Sequence, residues 1–188
     1  MDKHPIFVKV SEPILKDIIR TLSQMFGEVI VESFFRDKVV YITRNVKRNE
    51  VFLVTRTLDH VVVDYLKGRI RREPYSLGIF LGQIVDGEYR VSIDIAEKLF
   101  LKARRNAIMI NEHAASLFLY GRDVMLKSII KVYPPLFKIT VVINELEDVL
   151  GLCKLTVKPK DLLVKSGSKN KVVCKNIIDK GWYLRKGH

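Results

Sequence analysis

The alternation of apolar and polar residues on both sides of Asp86-Gly87 constrains the fold of this chain more than any other feature. Apolar residues occupy every second position around that dipeptide: Leu77, Ile79 and Leu81 before it, and Tyr89, Val91, Ile93 and Ile95 after it. A period of two residues is typical of a β-strand with one buried face. Because Asp-Gly favours the positive φ angles of a tight turn, the sequence predicts an antiparallel hairpin over residues 75–95.

The segments before this hairpin predict two helices and several short strands. Apolar residues in 12–26 recur at helical spacing, with Ser11 as a candidate N-cap and Gly27 as a stop signal. A second helix is predicted over residues 58–66, with a strand as the alternative because of its valines. Short strands are predicted over residues 29–33, 39–43 and 51–55.

The second half of the chain predicts many short strands. Helices are predicted over residues 95–101 and 112–119. Strands are predicted over residues 107–110, 124–133, 139–144, 150–157, 162–164 and 172–174. Short strands at even spacing are typical of a small barrel. We therefore predict an α+β protein, with an N-terminal α/β domain built on an antiparallel sheet over residues 1–95 and a C-terminal domain over residues 96–188.

Positive charge is concentrated in the second half. The chain has 33 Lys and Arg residues against 21 Asp and Glu residues, which gives a net charge of +12. Residues 1–94 account for +2 of this charge and residues 95–188 for +10. Clustered like charges repel one another, and a bound polyanion removes that repulsion and releases counterions. The charge distribution favours a nucleic-acid partner, with a solvated lysine face as the alternative.

Residue types that carry catalysis or bind metals are scattered. Cys153 and Cys174 lie 21 positions apart without a Cys-x-x-Cys pair, so we predict two small buried thiols and exclude a zinc site and a disulfide framework. No two of the four histidines have metal-ligand spacing. The sequence also lacks Gly-x-Gly-x-x-Gly, phosphate-loop and Gly-x-Ser-x-Gly motifs. We therefore expect no enzyme activity, no metal and no cofactor.

The hydropathy of the chain favours a soluble protein. No apolar run approaches the ~20 residues that a membrane-spanning helix needs. The first five residues, Met-Asp-Lys-His-Pro, do not introduce the apolar core of a secretory signal. We therefore expect an intracellular protein without a membrane partner.

Residues 116–129, Ser-Leu-Phe-Leu-Tyr-Gly-Arg-Asp-Val-Met-Leu-Lys-Ser-Ile, carry a resemblance to a known family. This stretch resembles the opening of a PUA domain, an RNA-binding module. Its Phe-Leu-Tyr-Gly element followed by Leu-Lys-Ser is similar to the Nip-seven family of ribosome biogenesis proteins. Ser76-Leu77-Gly78 and a late Gly-x-Tyr-hydrophobic-Arg element at residues 181–185 match that family in the same order.

The resemblance implies a C-terminal PUA-type β pseudo-barrel and a non-catalytic factor in pre-rRNA processing and large-subunit assembly. It implies a preference for single-stranded uridine-rich RNA and contacts with ribosome assembly or RNA-processing proteins. We expect a monomer that is cytoplasmic, or nucleolar in a eukaryote, and an archaeal source. Two alternatives stay open: a protein-binding adaptor of such a complex, and an RNA-modification enzyme with a PUA appendage.

The basic residues of the C-terminal half are the candidate phosphate contacts. The predicted RNA-binding residues are Arg122, Lys127, Lys158, Lys160, Lys165, Lys169, Lys171, Lys175 and Arg185. Tyr120, Trp182 and Tyr183 are candidate base-stacking residues, although packing in a core or between domains is the favoured interpretation for each. A second basic segment, formed by Lys67, Arg69, Arg71 and Arg72, is expected to be a solvated loop.

Overall fold

A computed structural model describes residues 6–44, 49–68, 76–164, 167–182 and 185 of the chain. The chain divides into two compact units, one of Met1–Ser23 with Glu28–Ile95 and one of Gln24–Gly27 with Ala96–His188. The boundary of independent domains between residues 95 and 96 stays a prediction. No helix in the described part of the chain is both long and apolar enough to span a bilayer.

The first unit contains an antiparallel five-stranded sheet in sequence order. Its strands are β1 (Ile6–Lys9), β2 (Lys38–Arg44), β3 (Asn49–Thr55), β4 (Ile79–Val85) and β5 (Glu88–Val91). The helices that accompany them along the chain are α1 (Glu12–Phe26), α2 (Glu28–Phe35) and α3 (Asp59–Leu66). One hydrophobic cluster of this unit packs Val62 of α3 against side chains of the sheet, including Phe7 and Tyr41.

The hairpin predicted from alternation is confirmed as β4 and β5. Asp86 and Gly87 form its turn with φ angles of 53° and 78°. The strand character ends earlier than predicted, because Ser92 accepts a hydrogen bond from the backbone N–H of Ile95 and caps a helix. That helix, α4 (Ile93–Ala103), therefore contains the last two apolar residues of the alternation.

The strand predicted over residues 29–33 is wrong, since these residues belong to α2. The β-branched residues at 29–31 favour a strand locally. However, Val31, Phe34 and Phe35 follow one another at the spacing of a helix face, and Val31 is the buried residue of α2. Gly27, at φ 96°, separates this helix from α1.

The second unit contains a six-stranded sheet with the order β7-β11-β10-β9-β6-β8. The strands are β6 (Ala107–Ile110), β7 (Val124–Met125), β8 (Ile129–Tyr133), β9 (Ile139–Ile143), β10 (Val149–Leu155) and β11 (Val172–Asp179). Two helices lie between them in the chain, α5 (Glu112–Leu119) and α6 (Pro159–Leu163). Strands β6 and β9 pair in parallel and the other neighbours are antiparallel. The predicted α+β class is confirmed.

Helix α6 replaces the strand that was predicted over residues 162–164. Pro159 occupies the start of the helix, where its missing N–H costs no hydrogen bond and its fixed φ favours a helix. Asp161 lies in the first turn, where the helix dipole favours a negative charge. Leu162 is the residue of α6 that enters the core of the unit. The apolar residues Leu162 and Leu163 therefore belong to a helix with one buried residue.

The two cysteines are buried as predicted, but the prediction of free thiols is wrong. Cys153 of β10 and Cys174 of β11 form a disulfide, with their Cα atoms 5.7 Å apart. Both residues are fully buried in the core of the second unit. A spacing of 21 residues gave no sign of this bond, because it depends on the pairing of two strands that are distant in sequence.

Removal of this disulfide by the double substitution C153A/C174A is expected to lower the melting temperature by roughly 8 °C. The cross-link closes a loop of 21 residues in the unfolded chain, which lowers the entropy of that chain and stabilises the fold by about 3 kcal/mol. A thermal melt of the unmodified chain in strong reductant should show the same decrease, and reductant should not affect the double variant. An unmodified chain whose melting is insensitive to reductant would support the original prediction of two thiols.

Candidate nucleic-acid interface

Several of the basic residues predicted to bind RNA lie on strand β11 or next to it. Lys171 directly precedes the strand and Lys175 lies within it. Strand β11 pairs with β7 on one side and with β10 on the other. We define the basic surface as the lysines on and beside this strand: Lys127, Lys154, Lys169, Lys171 and Lys175.

Backbone hydrogen bonds hold one end of the basic surface together. The N–H of Lys127 donates to the carbonyl of Lys169 at 3.0 Å, and the N–H of Leu126 donates to the carbonyl of Lys171 at 2.9 Å. These bonds form because residues 126–128 adopt a 3-10 turn, which interrupts the single strand predicted over residues 124–133. The interruption brings Lys127 beside two lysines that are more than 40 positions away in sequence.

Lys154 is a member of the basic surface that the sequence did not indicate. It lies directly opposite Lys175 in the antiparallel pairing of β10 and β11. Directly opposed like charges destabilise a sheet, because their side chains are near neighbours on one face. Lys154 stands between two apolar residues in the sequence, so no local run of positive charge marks it. Only the register of β10 with β11 identifies it as part of the basic surface.

The predicted contacts Lys158 and Lys160 lie at the start of α6. Lys158 is the residue before the helix, with an extended backbone, and Lys160 lies in its first turn. The segment leaves β10 next to β11, because the hydroxyl of Thr156 donates to the carbonyl of Val172 at 2.9 Å. Both lysines are exposed. Lys165 lies outside the described residues.

Within the described residues, the basic surface has no acidic partners. All five of its residues are exposed, and no carboxylate of the described residues lies within 4.0 Å of them. The ion pairs that the structure describes engage other cations: Lys9, Lys16, Arg20, Arg104, Lys180 and Arg185. The positive charge along β11 is therefore available to an external anion.

Arg122 lies beside the same strand. The carboxylate of its neighbour Asp123 accepts a hydrogen bond of 2.9 Å from the backbone N–H of Asn176, which follows Lys175. This bond places the turn after α5 next to the basic surface. Arg122 is exposed and has no carboxylate within 4.0 Å among the described residues.

Arg185 differs from the other predicted contacts, because its guanidinium group is bound within the protein. Its two Nη atoms donate to the two carboxylate oxygens of Asp179 at 2.9 and 2.8 Å, and Nη1 also donates to the carbonyl of Leu119. The hydrogen bonds to Asp179 raise the pKa of Arg185 above its ordinary value. Arg185 therefore caps the end of α5, and its contact with phosphate stays a prediction.

The aromatic candidates have different environments. Tyr120 is 73% exposed, so the interpretation that favoured core packing is wrong for this residue. Trp182 is 38% exposed. Tyr183 lies outside the described residues. An exposed ring beside a basic strand is the arrangement that single-stranded nucleic acids use for base stacking.

The acidic cluster in the turn between β9 and β10 is held by local contacts. Asn144 accepts hydrogen bonds from the backbone N–H groups of Leu146 and Asp148. Glu147 accepts a hydrogen bond from the hydroxyl of Tyr133 and pairs with Arg104, and these contacts lower the pKa of its carboxyl. The acidic residues Glu145, Glu147 and Asp148 therefore belong to an exposed, hydrogen-bonded turn.

In the first unit, Asp59 is the centre of a small group of polar side chains that also contains Lys9 and Tyr41. This carboxylate accepts hydrogen bonds from Lys9 and from the hydroxyl of Tyr41, and both contacts lower its pKa. Lys67, of the second basic segment, is exposed, whereas Arg69, Arg71 and Arg72 lie outside the described residues. In the described part of the chain, no group of three or more His, Cys, Asp or Glu residues could hold a metal ion.

Sequence comparison relates the unit that contains the basic surface to PUA domains. Residues 106–188 match the family described as the UPF0113 PUA domain, and PUA domains generally bind RNA. A UPF0113 protein of Archaeoglobus fulgidus is 29% identical over 142 residues, which cover 74% of this chain and 74% of that protein. The predicted relation to PUA-domain proteins is therefore confirmed at this level.

Three solved archaeal structures share the fold. A hypothetical protein from Pyrococcus horikoshii OT3 has a TM-score of 0.66 at 18% identity, and the match covers 95% of this chain and 99% of that one. A PUA domain protein from Thermoplasma acidophilum has a TM-score of 0.60 at 12% identity, with coverages of 97% and 99%. A PUA domain from Aeropyrum pernix K1 has a TM-score of 0.59 at 10% identity, with coverages of 96% and 89%. The predicted combination of an antiparallel sheet with a PUA-type pseudo-barrel is confirmed.

Proposed function

We propose that this protein is a non-catalytic RNA-binding factor of ribosome biogenesis that acts in pre-rRNA processing and large-subunit assembly. It binds single-stranded, uridine-rich RNA as a cytoplasmic monomer. The observation that carries the proposal is the basic surface along β11, whose five exposed lysines have no acidic partners among the described residues. This surface lies within the residues that match a PUA domain.

Electrostatics explains why a polyanion fits this surface. Lys154 and Lys175 oppose each other directly, and Lys127 is bonded through its backbone to Lys169. Mutual repulsion raises the free energy of this arrangement. Successive phosphates would neutralise it and release condensed counterions, which is the main driving force of nucleic-acid binding. The ribosomal role rests on the resemblance of residues 75–188 to the Nip-seven family.

Fluorescence anisotropy across a salt series tests the proposal. The ligands are a labelled single-stranded uridine-rich RNA, a single strand of unrelated sequence and an RNA duplex. We expect the logarithm of the affinity to fall with the logarithm of salt concentration with a slope of about −4, which corresponds to roughly six phosphate contacts on a single strand. The uridine-rich strand should remain the preferred ligand at the highest salt.

Two other outcomes would overturn the proposal. Weak binding that is equal for all three ligands would mean that the positive charge serves solubility, and the adaptor hypothesis with a protein partner would replace it. Turnover of an RNA substrate, seen as a change in the mass of a nucleoside after incubation, would contradict the non-catalytic role.

A further inference from the structure

Tyr120 is the most exposed aromatic side chain in the described part of the chain. Its exposed fraction is 73%, against 38% for Trp182 and 37% for Phe80. Phe118, two residues earlier, is by contrast 1% exposed and belongs to the core. A ring that presents most of its surface to solvent contributes little to packing, so its surface is free for contact with a ligand.

The backbone beneath this ring is fixed by the end of helix α5. The N–H of Arg122 donates to the carbonyl of Leu117 at 3.1 Å, and the N–H of Gly121 donates to the carbonyl of Phe118 at 2.8 Å. Gly121 has a φ of +83°, and together these features form a Schellman motif with Tyr120 as the C-cap. The ring is thus carried by an ordered helix end, and binding needs little further ordering of the backbone.

Arg185 and Asn176 secure the same helix end from the other side. The guanidinium of Arg185 donates to the carbonyl of Leu119, and the side-chain amide of Asn176 donates to the carbonyl of Phe118 at 2.9 Å. Asn176 follows Lys175 in β11. The exposed ring therefore lies at the end of the helix that is bonded to the basic strand.

Two exposed cations lie close along the chain to the helix end that carries the ring or to Asn176, which bonds that end. Arg122, two residues after Tyr120, is exposed and has no carboxylate partner within 4.0 Å in the described ranges. Lys175 is adjacent to the asparagine that bonds the helix end. A nucleotide offers a phosphate and a planar base at a fixed distance, and this site offers cations and a planar ring.

We propose that Tyr120 stacks on an unpaired base of the RNA while Arg122 and Lys175 contact the flanking phosphates. This inference rests on the proposed RNA-binding function and assigns the residue that selects single strands. A base within a duplex is stacked on its neighbours and cannot cover the ring, whereas an unpaired base can. Stacking is tolerant of base identity, because every base has a π-face.

Three substitutions separate stacking from mere surface exposure. Single exposed apolar side chains are common on proteins, so the test must distinguish an aromatic ring from an apolar group of similar size. Y120L removes the ring and keeps an apolar side chain, whereas Y120F keeps the ring and removes the hydroxyl. F80L removes a half-exposed ring from the first unit and serves as the matched control.

The probes are a single-stranded RNA and an abasic ribose-phosphate oligomer of the same length. We expect Y120L to weaken binding of the RNA about ten-fold, while Y120F and F80L stay within two-fold of the unmodified chain. None of the variants should change binding of the abasic oligomer, and the two Tyr120 variants should keep the melting temperature of the unmodified chain. The salt slope should also stay constant, since no phosphate contact is lost.

The failure of this inference can be told apart from the failure of the proposed function. If the unmodified chain binds the RNA with a steep salt dependence but Y120L binds equally well, Tyr120 does not stack and the RNA-binding function stands. Equal losses for the RNA and the abasic oligomer would also overturn stacking. If the unmodified chain binds neither probe, the proposed function itself is wrong.

Discussion

Substitution of Asp179 by asparagine is expected to lower the melting temperature by roughly 10 °C. The side chain of Asp179 is 2% exposed. Its two carboxylate oxygens accept hydrogen bonds from both Nη atoms of Arg185 and from the side-chain amide of Asn176. Asparagine has the same shape but no charge, so the guanidinium would lose its ionic partner. The amide nitrogen of asparagine cannot accept a hydrogen bond, so at least one donor of Arg185 or Asn176 would face another donor at this buried position, and the loss of charge-assisted hydrogen bonds there is strongly destabilising.

The control for D179N is D86N, which makes the same chemical change at an exposed turn. Asp86 has a φ of 53°, a conformation that asparagine tolerates well. Thermal unfolding followed by circular dichroism should show almost no change for D86N. A D179N protein that melts within 2 °C of the unmodified chain would mean that the pair with Arg185 does not hold the end of α5 in place.

Local patterns in the sequence predicted those elements whose determinants lie within one short segment. The hairpin around Asp86-Gly87 is encoded by alternation and a turn dipeptide, and α5 was predicted with the bounds that the structure gives. The strands predicted over residues 29–33 and 162–164 were wrong, because short apolar runs fit a strand and a helix equally well. The secondary structure that these segments adopt depends on which of their residues the rest of the unit buries. The buried residue is Val31 in α2 and Leu162 in α6.

Long-range pairing explains what the sequence could not predict about the site. The clustering of Lys169 and Lys171 was visible as local charge density. Lys154 joins them only through the register of β10 with β11, and the same pairing brings Cys153 and Cys174 together. The composition does not distinguish one cation from another. The structure shows that Arg185 binds a buried carboxylate, whereas the lysines of the basic surface have no acidic partner among the described residues.

Reversal of two charges on the basic surface is expected to weaken RNA binding at least 100-fold. The variant K169E/K171E replaces two exposed cations by anions, so that two phosphate contacts are lost and two repulsions are introduced. The salt slope should become shallower by about 1.4, which is twice the contribution of one contact on a single strand. Anisotropy titrations across a salt series measure both quantities.

The melting temperature of this variant should stay nearly constant, because residues 169 and 171 hold their neighbours through backbone carbonyls. Those carbonyls accept from the N–H groups of Lys127 and Leu126, and glutamate preserves both hydrogen bonds. A loss of affinity can therefore be assigned to charge and not to unfolding. Surface substitutions outside such backbone contacts usually change stability by less than about 0.5 kcal/mol.

The matched control is K98E/K102E on helix α4. Lys98 and Lys102 are exposed, belong to the same unit and have no carboxylate within 4.0 Å among the described residues, so the variant changes the net charge equally. If position matters, the control should lose less than ten-fold in affinity and keep most of its salt slope. Equal losses for the two variants would show that RNA responds to the total charge of the chain. In that case the basic surface along β11 would not be the binding site, because a site requires that these particular lysines contact the phosphates.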